Sequence, residues 1–260
     1  EGVVSNTKQN DEDGKQWLNS RGIAKRIYVR GQLILTTPAG LGSGDSDGYI
    51  DMPLMLDPVS NQPLLTGTSI AGGIRNYILA SQKGYGVRED GLGEDLSELL
   101  FGFVLKKENR TSSTFESWLM IDDAYGSLPE GGDGQSISTE FRTGVAIAPV
   151  TRTAQEGMLY DYELLPAGTV FDLSFELWLP HFEEQPKQKQ LLQAFADGLQ
   201  ALGSGEIDFG LRKSRGLGRC KLKGDWQVNE YDMSDSKQII EWLQHPHASQ
   251  TAQTGQNLHH

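Results

Sequence analysis

Between Phe171 and Leu179 the chain alternates: Phe171, Leu173, Phe175, Leu177 and Leu179 are set against Asp172, Ser174 and Glu176. Successive side chains of an extended chain point to opposite faces, so this stretch is a strand with one face buried. That face needs a partner layer. Leu191, Leu192, Phe195, Leu199 and Leu202 supply one, an apolar stripe at helical spacing on a helix of about five turns. The same pairing occurs earlier. Ile27, Val29, Gly31, Leu33 and Leu35 alternate with Tyr28, Arg30 and Gln32, and Ile70, Ile74, Tyr77 and Ile78 then fall at helical spacing behind Thr68 or Ser69, which can cap that helix. Gly72 and Gly73 weaken it by roughly 1 kcal/mol each relative to Ala, a cost tolerated where something packs on the backbone.

Shorter signals complete the pattern. A short apolar helix is expected around Leu96 to Phe101 and a strand over Trp118 to Asp122. Thr143 to Ala148 and Leu159 to Leu165 flank a loop rich in Thr, Arg and Gln, the signature of a protruding hairpin. A final strand pair is expected through Ile207, Phe209 and Leu211, then Cys220, Leu222, Trp226 and Val228, with Arg219, Lys221 and Lys223 on the opposite face. Two major helices among strands make an α+β domain. The first 22 residues read as a flexible leader, and residues 233–260 as a helix fragment with a polar tail.

Composition narrows the function. Within 260 residues no apolar run approaches the roughly 20 needed to span a bilayer, and the polar, acidic start is unlike a signal peptide, so a soluble, cytoplasmic protein is expected. Cys220 is the single cysteine, which excludes an intramolecular disulfide and a thiolate metal cage. The net charge is −12, yet Arg212, Lys213, Arg215, Arg219, Lys221 and Lys223 lie in a stretch without an acid. One surface is therefore basic on an otherwise acidic body. A second cluster, Arg21, Lys25, Arg26 and Arg30, opens the first strand, and either cluster is equally a solvated face on charge alone.

Several enzyme motifs fail on their surroundings. Gly40, Gly42 and Gly44 run into Asp45 and Asp47 instead of a helix, so the dipole that holds a pyrophosphate is missing. Asp45, Asp47, Gly48 and Asp51 lack the closing Glu of an EF-hand. Gly67, Ser69 and Ala71 form a G-x-S-x-A arrangement before a helix, which leaves a serine hydrolase using Ser69 as an alternative. Its base would have to be His181, the one histidine outside the C-terminal tail.

The stretch GLRKSRGLGRCK, Gly210 to Lys221, resembles the C-terminal glycine-rich loop of the RAMP superfamily, RNA-binding subunits of CRISPR effector complexes. Gly216 and Gly218 would let backbone amides approach phosphates, while Arg212, Lys213, Arg215 and Arg219 supply charge. Other resemblances follow in the family's order: PLLTGTSIAGGIR from Pro63 to Arg75, LFG at Leu100 to Gly102, and WLMIDDAY from Trp118 to Tyr125. Arg142 to Phe171 is similar to the thumb hairpin and following strand of type III backbone subunits, and Tyr49 to Pro58 to the segment bearing their catalytic aspartate. At Gly40 and Leu41 the chain departs from the family, where many relatives have a His.

The resemblance implies a modified ferredoxin-like or RRM-like core over residues 23–232, with a thumb at about 142–165 and the glycine-rich loop. It implies a guide-RNA-binding backbone subunit of a type III effector that cleaves complementary target RNA. Asp51 would be the catalytic residue and the ligand of a divalent cation, magnesium, with Asp45 and Asp47 assisting. Arg75, Arg142, Arg212, Lys213, Arg215, Gly216, Gly218 and Arg219 would contact RNA. The implied partners are the guide, the target and other RAMP subunits, and no membrane is involved. Within the family, the alternatives are a structural RNA-binding subunit without an active site and a metal-independent guide-processing ribonuclease.

Overall fold

The computed structural model describes residues 22–44, 50–106, 112–132, 134–147, 151–180 and 185–244. The two alternating stretches become the central strands, β1 (Ile23–Leu35) and β9 (Val170–Pro180), paired antiparallel with Val29 opposite Phe175 and Leu33 opposite Phe171. β10 (Cys220–Asp232) pairs with the other side of β1, in a register that shifts between Arg30 and Gln32. Along the far side of β9 run β5 (Leu119–Ile121) and then β6 (Ala124–Ser127), and β6 carries the short β2 (Leu64–Leu65). The sheet order is β10-β1-β9-β6-β2 with β5 also on β9, and each of these pairings is antiparallel.

Helices α1 (Gly67–Lys83) and α3 (Gln185–Ser204) cover one face of this sheet. Ile70, Ile74 and Ile78 of α1 and Leu191, Phe195, Leu199 and Leu202 of α3 join Val29, Leu33, Phe171, Phe175 and Leu177 in one core. Phe171 and Leu177 are fully buried. Each such side chain contributes about 1.5–3 kcal/mol relative to exposure, so the alternation read from the sequence is also the main source of cohesion. The short α2 (Leu96–Phe101) and the hairpin β3 (Phe103–Lys106) and β4 (Ser112–Phe115) follow α1; the sequence reading contained no β3–β4 pair. α4 (Ser236–Gln244) closes the described chain against β10. Among the described residues no helix is long and apolar enough to cross a membrane.

Three local expectations need correction. The cap of α1 is Thr66, not Thr68 or Ser69: its side chain accepts the Ser69 N–H at 3.3 Å, and the Ser69 hydroxyl pairs with the Thr66 hydroxyl at 2.9 Å. The helix starts early because Gly67 can press against β5. A Cβ there would lie 2.2 Å from the Ile121 carbonyl oxygen, while the Gly67 N–H donates to the Asp123 carboxylate at 2.7 Å. Second, Ile207 to Leu211 is not a strand. Ile207 and Phe209 are buried, but the Phe209 and Leu211 N–H groups donate to Gly218 and Gly40 instead of along a ladder. Third, of the paired glycines only Gly73 has a neighbour on its backbone, Ile207 at 2.8 Å from an added Cβ; Gly72 faces open space.

The expected hairpin forms from β7 (Glu140–Ile147) and β8 (Ala154–Leu164), longer than the sequence pattern suggested. Phe141, Ile147 and Leu159 leave 62, 63 and 68% of their surface exposed, too much for a ribbon that packs on its own core.

Candidate nucleic-acid interface

The strip Ala39–Ser43, which follows β1, gathers three separate parts of the chain. Ala39 exchanges backbone hydrogen bonds with Leu165 at the end of the hairpin, at 3.0 and 2.8 Å. Leu41 accepts from Met55 and Ser43 donates to Pro53, which binds the loop that carries Asp51. Gly40 accepts the Leu211 N–H at 2.9 Å, which binds the basic turn. The sequence GLGSG, unsuited to a dinucleotide, thus serves as a narrow seam between hairpin, loop and turn.

The turn is held by backbone contacts that only glycine permits. At Gly218, φ is +78° and an added Cβ would lie 1.8 Å from the Phe209 carbonyl oxygen. Its N–H donates to Pro38 at 2.9 Å, and its carbonyl accepts from Phe209 at 3.0 Å. The Gly216 N–H donates to Lys213 at 3.0 Å, closing the single 3-10 turn Lys213–Arg215. The expectation that these two amides reach phosphate is therefore revised: both donate within the chain, and the glycines shape the turn that presents the cations.

Those cations are arranged outward. Lys213, Arg215, Arg219 and Lys221 are exposed, and Lys223 lies on the same exposed side of β10. Among the described residues no carboxylate lies within ion-pair distance of Arg212, Lys213, Arg215, Arg219, Lys221 or Lys223. Arg212 adopts the left-handed conformation, φ +58°, and lays its guanidinium over Tyr162 at 4.3 Å and Tyr160 at 4.8 Å. Partial burial and the neighbouring Arg215 lower its pKa from the ordinary arginine value. A cation so placed gains from the ring faces and has no counter-ion among the described residues.

The other two arginines expected to meet RNA have partners inside the chain. Arg75 makes a forked ion pair with Glu89, with Nε to the two carboxylate oxygens at 2.8 and 3.0 Å and Nη2 closer still. Nη2 also donates to the Gly102 carbonyl at 3.1 Å, so the end of the PLLTGTSIAGGIR stretch and the LFG triplet meet. Burial alone would raise the Glu89 pKa, but the hydrogen bonds of Arg75 and Ser97 and the charges of Arg75 and Lys83 outweigh it and hold the carboxyl below its ordinary value. Arg142, exposed on β7, pairs with Glu140 at 2.7 Å.

Asp51 is exposed and sits beside β8. Its Oδ2 accepts the Asp161 N–H at 2.9 Å, and Met52 extends the contact by donating to Asp161 and accepting from Glu163. Glu163 ties the loop further, accepting from Leu54 N–H at 3.4 Å and from the Thr139 hydroxyl at 2.5 Å. Asp45, Asp47 and Gly48, together with His181, lie outside the described residues. The described group of carboxylates close enough to share a cation is Asp90, Asp95 and Glu98, whose oxygens already meet Lys83 and the N–H groups of Gly91 and Gly93. Asp51 is not part of it. A single carboxylate with Oδ2 in a hydrogen bond suits magnesium held largely by substrate phosphates and water, not a protein cage. Tyr160, Asp161 and Tyr162 were missed by the sequence reading, for which the alternation of aromatic residues around Asp161 was the available signal.

The RAMP superfamily model matches residues 32–221, and the chain belongs to that superfamily. It is also similar to the CRISPR system Cms endoribonuclease Csm3 of Streptococcus thermophilus, 25% identical over 225 residues that cover 83% of this chain and 96% of that protein.

Proposed function

We propose that the chain is a backbone subunit of a type III CRISPR effector complex, acting in the cytoplasm, which carries guide RNA and cleaves the complementary target RNA beside Asp51. The observation that carries this reading is the row from Arg212 to Lys223, without a carboxylate partner among the described residues and joined through the Ala39–Ser43 seam to an exposed carboxylate. The fold fits a modified ferredoxin-like core, with β7 and β8 as the thumb that reaches a neighbouring subunit and the RNA. An exposed row of cations reads sugar-phosphate and not base edges, which keeps the guide free to pair. Lys213, Arg215 and Arg219 would meet phosphates directly, with Gly216 and Gly218 setting the turn. Arg75 and Arg142 would contribute only by exchanging their present partners.

Asp51 would take the proton of a target ribose 2′-hydroxyl as that oxygen attacks the adjacent phosphorus. The bond to the 5′-oxygen breaks, a proton from solvent completes the leaving hydroxyl, and a 2′,3′-cyclic phosphate remains. Bound magnesium would supply charge stabilisation at the phosphate oxygens, with Asp51 as its protein ligand. The basic turn would hold the backbone in place, and the seam would keep carboxylate and cations in one frame. The test is gel cleavage of a labelled complementary RNA by the assembled complex. Asp51→Ala is expected to abolish cleavage while target binding stays intact, and Asp51→Asn is expected to behave alike. Wild-type cleavage at unchanged positions by the Asp51→Ala complex would leave a structural RNA-binding subunit.

A further inference from the structure

β8 carries more than one side of the hairpin. At Asp161 its backbone N–H and carbonyl are directed away from β7: the N–H meets Asp51 Oδ2 at 2.9 Å and the carbonyl accepts from Met52 at 3.1 Å. The residues on either side, Tyr160 and Tyr162, turn their rings to Arg212. Three consecutive residues therefore grip the candidate catalytic carboxylate by the backbone and the most enclosed cation of the basic turn by side chains. The grip is reinforced from beneath. Tyr162 is buried with Leu164 and Leu217, a small apolar cluster of its own, and Tyr160 packs against it. The Asp161 carboxylate is occupied with the Thr143 hydroxyl at 2.6 Å, which anchors the segment to β7.

Arg212 shows why such a grip is needed. A non-glycine residue in the left-handed region carries a backbone cost, and a desolvated guanidinium beside Arg215 carries an electrostatic one. Two ring faces offset these, and they leave the guanidinium edge, with its N–H donors, available to an anion. The arrangement holds a cation ready without neutralising it, which a carboxylate partner would do. Asp51 is treated similarly: the Asp161 N–H orients one carboxylate oxygen without bringing in a competing charge.

We propose that Tyr160, Asp161 and Tyr162 are positioning residues, which fix the Asp51 carboxylate and the Arg212 guanidinium in one frame so that both meet the same target phosphodiester. This rests on the proposed cleavage at Asp51 and assigns the hairpin a part in it: its β8 edge aligns the reacting groups. None of the three touches RNA in this role. They act through Asp51 and Arg212, so their effects disappear when those residues are gone.

The experiment is single-turnover cleavage of a saturating labelled complementary RNA by the assembled complex, with target affinity measured alongside. Replacing Tyr160 and Tyr162 together by Leu removes the ring faces and is expected to slow cleavage about tenfold or more with affinity within a fewfold of wild type. Phe at both positions keeps the faces and is expected to restore most of the rate. In an Arg212→Ala background the Leu pair is expected to cost nothing further, since its effect runs through Arg212. Asp161→Ala keeps the N–H and most of the rate, whereas Asp161→Pro removes it and should fall toward Asp51→Asn. Equal losses with Leu and Phe, or full additivity of the Leu pair with Arg212→Ala, would overturn the proposal. The tyrosine series decides alone if the proline variant does not assemble. Cleavage surviving Asp51→Ala would instead overturn the functional reading, so the two failures are distinct.

Discussion

Lys25 and Arg26 on β1 and the run from Arg212 to Lys223 are both dense groups of cations in an acidic chain, yet they meet opposite surroundings. Lys25 reaches Glu230 across the β1–β10 ladder at 2.5 Å. Arg26 lies between the rings of Trp178 and Trp242, at 4.7 and 4.5 Å, and pairs with Glu176 at 2.6 Å. Glu176 collects two further donors, the Tyr28 hydroxyl and the Trp178 indole N–H. That cluster is a closed account of charge and fastens α4, whose Trp242 also donates to Tyr28 at 2.8 Å. The run at the turn has no acid of its own among the described residues, and its glycines hold it at the surface. Density of charge is the same signal in both places. What separates an available cation from a bracing one is whether the fold delivers a counter-ion.

Three measurements would break or sharpen this contrast. The largest effect is expected from Arg212, Lys213 and Arg215 changed together to Ala. RNA binding should weaken and its salt dependence flatten by up to about three units, if each residue neutralises one phosphate. An unchanged salt slope in a folded variant would remove the turn from the interface. Arg26→Met should do the reverse, leaving the salt slope of RNA binding unaltered and lowering stability by about 2–4 kcal/mol in denaturant titration. The loss reflects the Glu176 carboxylate left half-buried without its cation. A change in salt slope with no loss of stability would place Arg26 with the RNA-binding group.

The smallest effect concerns Arg75 and Glu89. Glu89→Gln is expected to lower stability by roughly 1–3 kcal/mol at neutral pH, the range for a charged hydrogen bond lost in a partly buried site. The sign with pH follows from the depressed carboxyl. Its pKa is lower in the folded state than in the unfolded one, so the contribution is complete above the unfolded value and fades as pH falls through the folded value. Wild type and Glu89→Gln should therefore converge in stability on acidification. A gap that persists at low pH would show that packing, not the ion pair, makes the difference.

Periodicity was the most legible feature because it is a property of consecutive residues. β9 and α3 appear where alternation and stripe placed them, and the hairpin forms around the polar loop flanked by two strand patterns. Ile207 to Leu211 failed on the same rule. Alternation needs only an extended backbone, whereas a strand also needs a neighbour to accept its hydrogen bonds, and Gly210 at φ +87° turns the chain first. Thr66 was overlooked as a cap since the close contact of Gly67 with Ile121, which starts the helix two or three residues early, comes from β5 more than 50 residues later.

By itself, the sequence determined the faces of the strands and helices, the placing of six cations without an acid between Arg212 and Lys223, and family membership through motifs in order. The tertiary structure alone decided which charges remain available. Lys25 and Glu230 are 205 residues apart, Arg26 and Glu176 are 150 apart, and Asp51 meets Asp161 across 110. Ion pairs act over a few ångströms in space, so no count along the chain distinguishes a neutralised cation from a free one. Only the register of β1 with β9 and β10, and the seam that draws Asp51, β8 and the basic turn together, makes that choice.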